Sequence, residues 1–207
     1  MKTIVFDFDG TLADTFDIAI DVYNKVAPVF RVKSISNSDR QLVKELSLDE
    51  FALSYGVSEY KFLPLVFVLR YLLKKEKKRR KIKIHNGLLA VIKQLSFSGF
   101  KCGILTTNSR KFVRSVLEEN GLSGEILFVE TNAFLKKKYK ILLKLKENYG
   151  DIVYVCDEGR DIVAAKKACV TCLAVTWGFN SFSNLLRFSP DFIVSSPDKL
   201  LNVLADL

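Results

Sequence analysis

One histidine, His85, is all that this chain of 207 residues offers. A Ser-His-Asp triad or a histidine-based zinc centre therefore has almost nothing to be built from. Cysteine is sparse too: Cys102, Cys156, Cys169 and Cys172 all lie in apolar stretches. Cys169-Val-Thr-Cys172 has the spacing of a metal or redox pair, but no second pair stands with it, so buried thiols are expected. No apolar run reaches the ~20 residues of a membrane span. The longest, Phe62 to Leu73, is broken by Pro64 and Arg70. A strand begins at residue 2 and an acidic motif follows at once, a pattern unlike a signal peptide. A cytoplasmic protein with reduced thiols and no membrane partner is expected.

Acid is scarce relative to base, and the net charge is +9. That excess is local. Residues 74–83 read Lys-Lys-Glu-Lys-Lys-Arg-Arg-Lys-Ile-Lys, a net charge of +7, which leaves only +2 for the rest. One short stripe without interleaved aromatic residues is expected to be a solvated helix end or hinge, and nucleic acid is not an expected partner.

About half of the chain is apolar, enough for a sizeable core. Short buried-strand patterns occur at Thr3–Phe8, Lys101–Thr106, Glu125–Val129, Ile152–Cys156 and Thr171–Val175, with a sixth at Asp191–Val194. Helical patterns fall between them, at Asn86–Ser98, Arg110–Glu119, Lys137–Glu147 and Arg160–Ala168. This alternation predicts an α/β fold with a doubly wound parallel sheet. Residues 14–85 break it: they hold helical periodicities such as Ile18, Val22, Val26 and Phe62, Val66, Leu69, Leu73. A helical cap domain over 14–85 is expected, inserted into a core of 1–13 and 86–207. His85, before Asn86-Gly87, is read as a hinge residue.

In such sheets reactive groups gather at the carboxyl ends of the strands. The first strand ends in Asp7-Phe8-Asp9-Gly10-Thr11, the second in Thr106-Thr107-Asn108, and the fourth in Asp157-Glu158-Gly159-Arg160-Asp161. Carboxylates from two strand ends would repel one another unless a cation sat among them, and an all-oxygen donor set suits Mg²⁺. A phosphate beside the ion would need donors, which Thr106, the Asn108 amide and a lysine of Lys136-Lys137-Lys138 can supply. Gly10 allows a close backbone approach. Of Asp7 and Asp9, one can attack while the other handles the leaving-group proton.

These residues resemble the haloacid dehalogenase superfamily, in its phosphoglycolate phosphatase-like branch. The matching segments are Asp7-Phe8-Asp9-Gly10-Thr11-Leu12, Gly103-Ile104-Leu105-Thr106, the lysines 136–138, and Val153-Tyr154-Val155-Cys156-Asp157 with Asp161. The resemblance implies that Asp7 is the nucleophile and Asp9 the general acid/base. It implies that Asp7, the Asp9 backbone carbonyl and Asp157 hold Mg²⁺, with Thr11 and Asp161 close behind them. Thr106 would bind the phosphoryl group, with Thr107, Asn108 and Gly10 nearby. Lys137 is the favoured lysine, because Ile141 and Leu145 share its helix face, with Lys136 as the adjacent alternative. Cys156 stands where the family carries glycine. Trp177-Gly178-Phe179 resembles an aromatic-glycine pair near the family's site. The implied substrate is a small phosphorylated metabolite, handled by a monomer or homodimer under a mobile cap. A phosphomutase using the same intermediate, and a non-enzymatic binding protein on the same scaffold, are the alternatives.

Overall fold

A computed structural model describes residues 2–131 and 137–207. In chain order the elements are β1 (Thr3–Phe6), α1 (Phe16–Phe30), α2 (Arg40–Glu45), α3 (Leu48–Ser54), α4 (Glu59–Arg79), α5 (Leu88–Phe97), β2 (Lys101–Leu105), α6 (Arg110–Glu119), β3 (Ile126–Glu130), α7 (Lys138–Tyr149), β4 (Ile152–Cys156), α8 (Gly159–Lys167), β5 (Thr171–Val175), α9 (Phe182–Leu186), β6 (Phe192–Val194) and α10 (Pro197–Asp206). They form two compact units. One runs to Asp14 and resumes at Lys83; the other is Thr15–Ile82.

In the first unit all six strands join one parallel sheet in the order β3-β2-β1-β4-β5-β6. Central strands of such a sheet are covered on both faces, so they need apolar side chains throughout. β1 and β4 are buried along their whole length. Burial fades at the edges: Leu127 on β3 is exposed, and β6 is only half-buried. The core beside β4 gathers Ile141, Leu142 and Leu145 of α7 with Ile162 and Ala165 of α8. The strand order reverses between β1 and β4, which opens a crevice at their carboxyl ends.

β1 ends at Phe6, two residues earlier than its apolar pattern suggests. The chain turns there, because the amides of Leu12 and Ala13 both donate to the Phe8 carbonyl. The unit boundaries also fall inside the expected ones. The Asp14 amide donates to Lys83 O, Ala13 bridges to Ile84, and the His85 amide donates to Leu12 O. These bonds tie residues 83–85 to the core rather than to the insert.

The second unit is helical. α1 packs on α4, burying Val22, Tyr23 and Val26. Tyr23, Phe51 and Tyr55 form an aromatic cluster, with Phe51 stacked on Tyr55 at 4.5 Å. Ser47 and Glu50 form a reciprocal capping box on α3. The basic stripe begins in the last turns of α4, where cations complement the helix dipole. Its one acid, Glu76, pairs with Lys25 and Arg80. No single described helix is long and apolar enough to cross a membrane.

Ile162 and Val163 are neighbours on α8, one fully buried and one exposed. Ile162→Ala should cost about 2–5 kcal/mol through the cavity it leaves, and Val163→Ala less than about 1 kcal/mol. Urea denaturation of the two variants checks this.

Candidate active site

The crevice at the ends of β1 and β4 is built by the loops after β1, β2, β4 and β5 and the first turns of α7 and α8. β1 leads directly into Asp7, whose amide donates to Val155 O at 2.8 Å and so fixes it beside β4. Lys138 opens the first turn of α7. Its ammonium donates to Asp7 Oδ1 at 2.8 Å, to Asp161 Oδ2 at 2.6 Å and to the Tyr154 hydroxyl at 3.0 Å. The lysine that reaches Asp7 is thus Lys138, one residue after the favoured Lys137. Lys137 is the exposed N-cap of α7, and Lys136 lies outside the described residues. Helix geometry explains the shift: Ile141, Leu142 and Leu145 are three, four and seven residues after Lys138, all on its buried face.

Electrostatics at this cluster are severe. Burial pushes the Asp7 carboxyl up to about 7; Lys138 pulls it down, and Asp161 and Glu158 push it further up. Burial acts to lower the Lys138 ammonium, but Asp161 and Asp7 more than reverse this, so it stays charged. The Tyr154 hydroxyl is raised by burial and by the same two carboxylates, and it stays protonated. It reaches the cluster from inside the sheet, accepting from Lys138 and facing Asp161 at 3.4 Å.

Asp157 is fully buried. Its Oδ1 accepts from the Thr11 hydroxyl and its Oδ2 from the Phe179 amide, each at 2.7 Å. Burial, then Glu158 and Asp7, raise its pKa well above the carboxylate range. Two glycines close around it. A Cβ on Gly10, which has a φ of 79°, or on Gly178 would stand 2.1 Å from Asp157 Oδ2. The Trp177 indole donates to Thr11 O and completes this enclosure. Cys156 is buried, with its Sγ 3.7 Å from that of Cys172. Cys169 is exposed, so the Cys-x-x-Cys pair is divided between surface and interior.

On the other side, Asn108 donates to Asp9 Oδ2 at 2.7 Å and to Thr106 Oγ1 at 3.1 Å. Thr106 is buried at the end of β2, and Ser109 rather than Thr106 caps α6. Thr107 is exposed.

Among the described residues, Asp7, Glu158 and Asp161 offer carboxylate oxygens that all lie within 4.8 Å of one another. These hard, crowded donors, one of them forced toward protonation, fit a divalent cation. Glu158 carried no signal in the sequence beyond its place between Asp157 and Asp161. Lys138 and Tyr154 were legible only as part of a lysine run and of an apolar strand.

A family model described as haloacid dehalogenase-like hydrolase matches residues 4–175. A phosphoglycolate phosphatase from Synechococcus elongatus is 28% identical, over 100% of this chain and 99% of that protein. Pyrophosphatase PpaX from Bacillus cereus is 23% identical, over 100% and 98%. The crystal structure of a predicted phosphatase from Clostridium acetobutylicum superposes with a TM-score of 0.79 at 22% identity, over 100% and 99% of the two chains.

The raised pKa of Asp7 has a consequence for stability. The folded protein holds this proton up to pH ~7 and the unfolded chain only to about 3.8. The folded state is therefore favoured at low pH, and this contribution is lost as pH rises through 7. In metal-free protein, Asp7→Asn should raise the melting temperature at pH 8, with a gain that shrinks toward pH 5. Thermal melts in chelator at the two pH values test this; equal shifts at both would refute it.

Proposed function

Because the chain belongs to the haloacid dehalogenase-like hydrolase family, we propose that it is a Mg²⁺-dependent phosphatase acting on a small phosphorylated metabolite of the phosphoglycolate class, through a phospho-aspartate on Asp7. The observation that carries this reading is the pairing of Asp7 with the Lys138 ammonium at the strand ends. Relatives named phosphoglycolate phosphatase and pyrophosphatase support hydrolysis of phosphate compounds, and the first of these supports the substrate class.

In this mechanism Asp7 attacks phosphorus and takes up the phosphoryl group as an acyl phosphate. Asp9 gives its proton to the departing oxygen and then takes one from the water that hydrolyses the acyl phosphate. Lys138 pulls the buried Asp7 carboxyl back toward ionisation and offsets charge on the transferring group. Asp161 and the Tyr154 hydroxyl hold the lysine in place. Thr106 donates to a phosphoryl oxygen. Asp7, Glu158 and Asp161 would hold Mg²⁺, with Asp157 and the Asp9 carbonyl as the further ligands that the family resemblance implies. When bound, the ion supplies positive charge that lets the carboxylates and a phosphate dianion share one small volume. A phosphomutase would use the same first step, and product analysis separates the two.

Phosphate release from p-nitrophenyl phosphate should require added Mg²⁺ and should disappear in Asp7→Asn. A metal-loaded protein without activity on a panel of phosphorylated metabolites would overturn the reading. Lys138→Met should lower kcat by roughly 10²- to 10³-fold, whereas Lys137→Met should leave it near that of the unaltered protein. The reverse order would move the lysine assignment back by one residue.

A further inference from the structure

We propose that Asn108 is a positioning residue for the reaction rather than a substrate ligand: it aims the Thr106 hydroxyl at the phosphoryl group and steadies the Asp9 carboxylate. The inference rests on the phosphatase reading above. Its basis is a hydrogen-bond inventory. Thr106 Oγ1 accepts from the Asn108 backbone amide at 3.1 Å and from Asn108 Nδ2 at 3.1 Å. A hydroxyl has two acceptor positions and one proton. With both acceptor positions engaged, the proton remains to be donated. A phosphoryl oxygen, which can only accept, is the complement of that state. Thr106 is thus set as a donor before substrate arrives, and it does not rotate between donor and acceptor roles.

The same amide nitrogen donates its second proton to Asp9 Oδ2 at 2.7 Å. With Asp9 Oδ2 as the acceptor in this contact, it is the nitrogen end of the Asn108 amide that faces Asp9. That in turn directs the remaining N–H to Thr106. One side chain from the β2–α6 loop therefore spans two catalytic groups from different strands: Thr106 beyond β2 and Asp9 beyond β1. Thr107, between them in sequence, is exposed and has no part in this bridge. The spacing matters: Asn108 is two residues past Thr106, close enough for its backbone amide to return to the threonine hydroxyl while its side chain reaches Asp9.

The consequence concerns the leaving group. Asp9 matters most when the departing oxygen is a poor leaving group that needs a proton. An alkyl phosphate such as phosphoglycolate has one; p-nitrophenyl phosphate does not. The quantity kcat/KM covers steps only through phosphoryl transfer, so it isolates proton donation from later hydrolysis of the acyl phosphate. In Asn108→Ala, kcat/KM on phosphoglycolate should fall on the order of 10²-fold. On p-nitrophenyl phosphate it should fall only several-fold, through loss of Thr106 orientation. Asn108→Asp keeps the shape but removes the donor, so it should show the same unequal loss and no rescue. Thermal melts establish that both variants are folded, and Asn108→Ser replaces either one that is not. Equal losses on the two esters, or an Asn108→Asp variant as active as the parent, would overturn the proposal. An unaltered protein inactive on both esters with Mg²⁺ would overturn the phosphatase reading, and this inference with it.

Discussion

Everything at the candidate site depends on one buried ammonium held between two carboxylates. Lys138 lies between Asp7, at the end of β1, and Asp161, in the first turn of α8. Taking either carboxylate out of water is expensive, and taking both into one pocket is more so. The lysine offsets that penalty, and the Tyr154 hydroxyl shares the load from inside the sheet. The arrangement sets three carboxyl groups, Asp7, Asp161 and Glu158, against the Lys138 ammonium and the Arg160 guanidinium that pairs with Glu158, one cation fewer than acids. A site built this way attracts a cation, and a phosphate becomes tolerable only beside one.

Around that cluster the chain uses rigidity rather than charge. Asp157 has each oxygen held by a donor, and the backbone at Gly10 and Gly178 comes so close that a Cβ on either would collide with it. Its hydrogen bonds join three separate segments: the loop after β1, the end of β4 and the loop after β5. The loop after β1 is therefore braced from a strand two places away in the sheet. Asn108 performs a similar service from the opposite flank, where β2 neighbours β1. The two braces differ in kind. One is a fully buried carboxyl; the other is a half-buried amide.

Most of this architecture is legible in the sequence, for a definite reason. Central parallel strands must be apolar on both faces, so Thr3–Phe6, Ile152–Cys156 and Thr171–Val175 stand out as unbroken runs. The acidic and hydroxyl residues that follow them mark the catalytic end. What was not legible was side-chain direction within polar runs. Three consecutive lysines differ only in which one shares a helix face with Ile141, Leu142 and Leu145, and a start one residue later decides it. The short α9 and α10 were missed because each buries only two side chains, too few for a period to show. The last turn of β1 was over-extended because Phe8 is as buried as a strand residue while belonging to a turn.

The strand that leads into Asp7 finds its partners far along the chain. Thr3 is paired with Lys101 on one side and with Ile152 on the other. Contacts at that sequence separation form slowly, because a long loop must close before they are rewarded. The helical unit closes over shorter separations, the aromatic contact of Tyr23 with Phe51 and the ion pair of Asp21 with Arg80 among them. Residues 15–82 form a compact unit of their own, whereas β1 is completed only by partners beyond residue 100. Asp7 is fixed by β4, since its amide donates to Val155 O, so the candidate site depends on the pairing with the greatest sequence separation in the sheet.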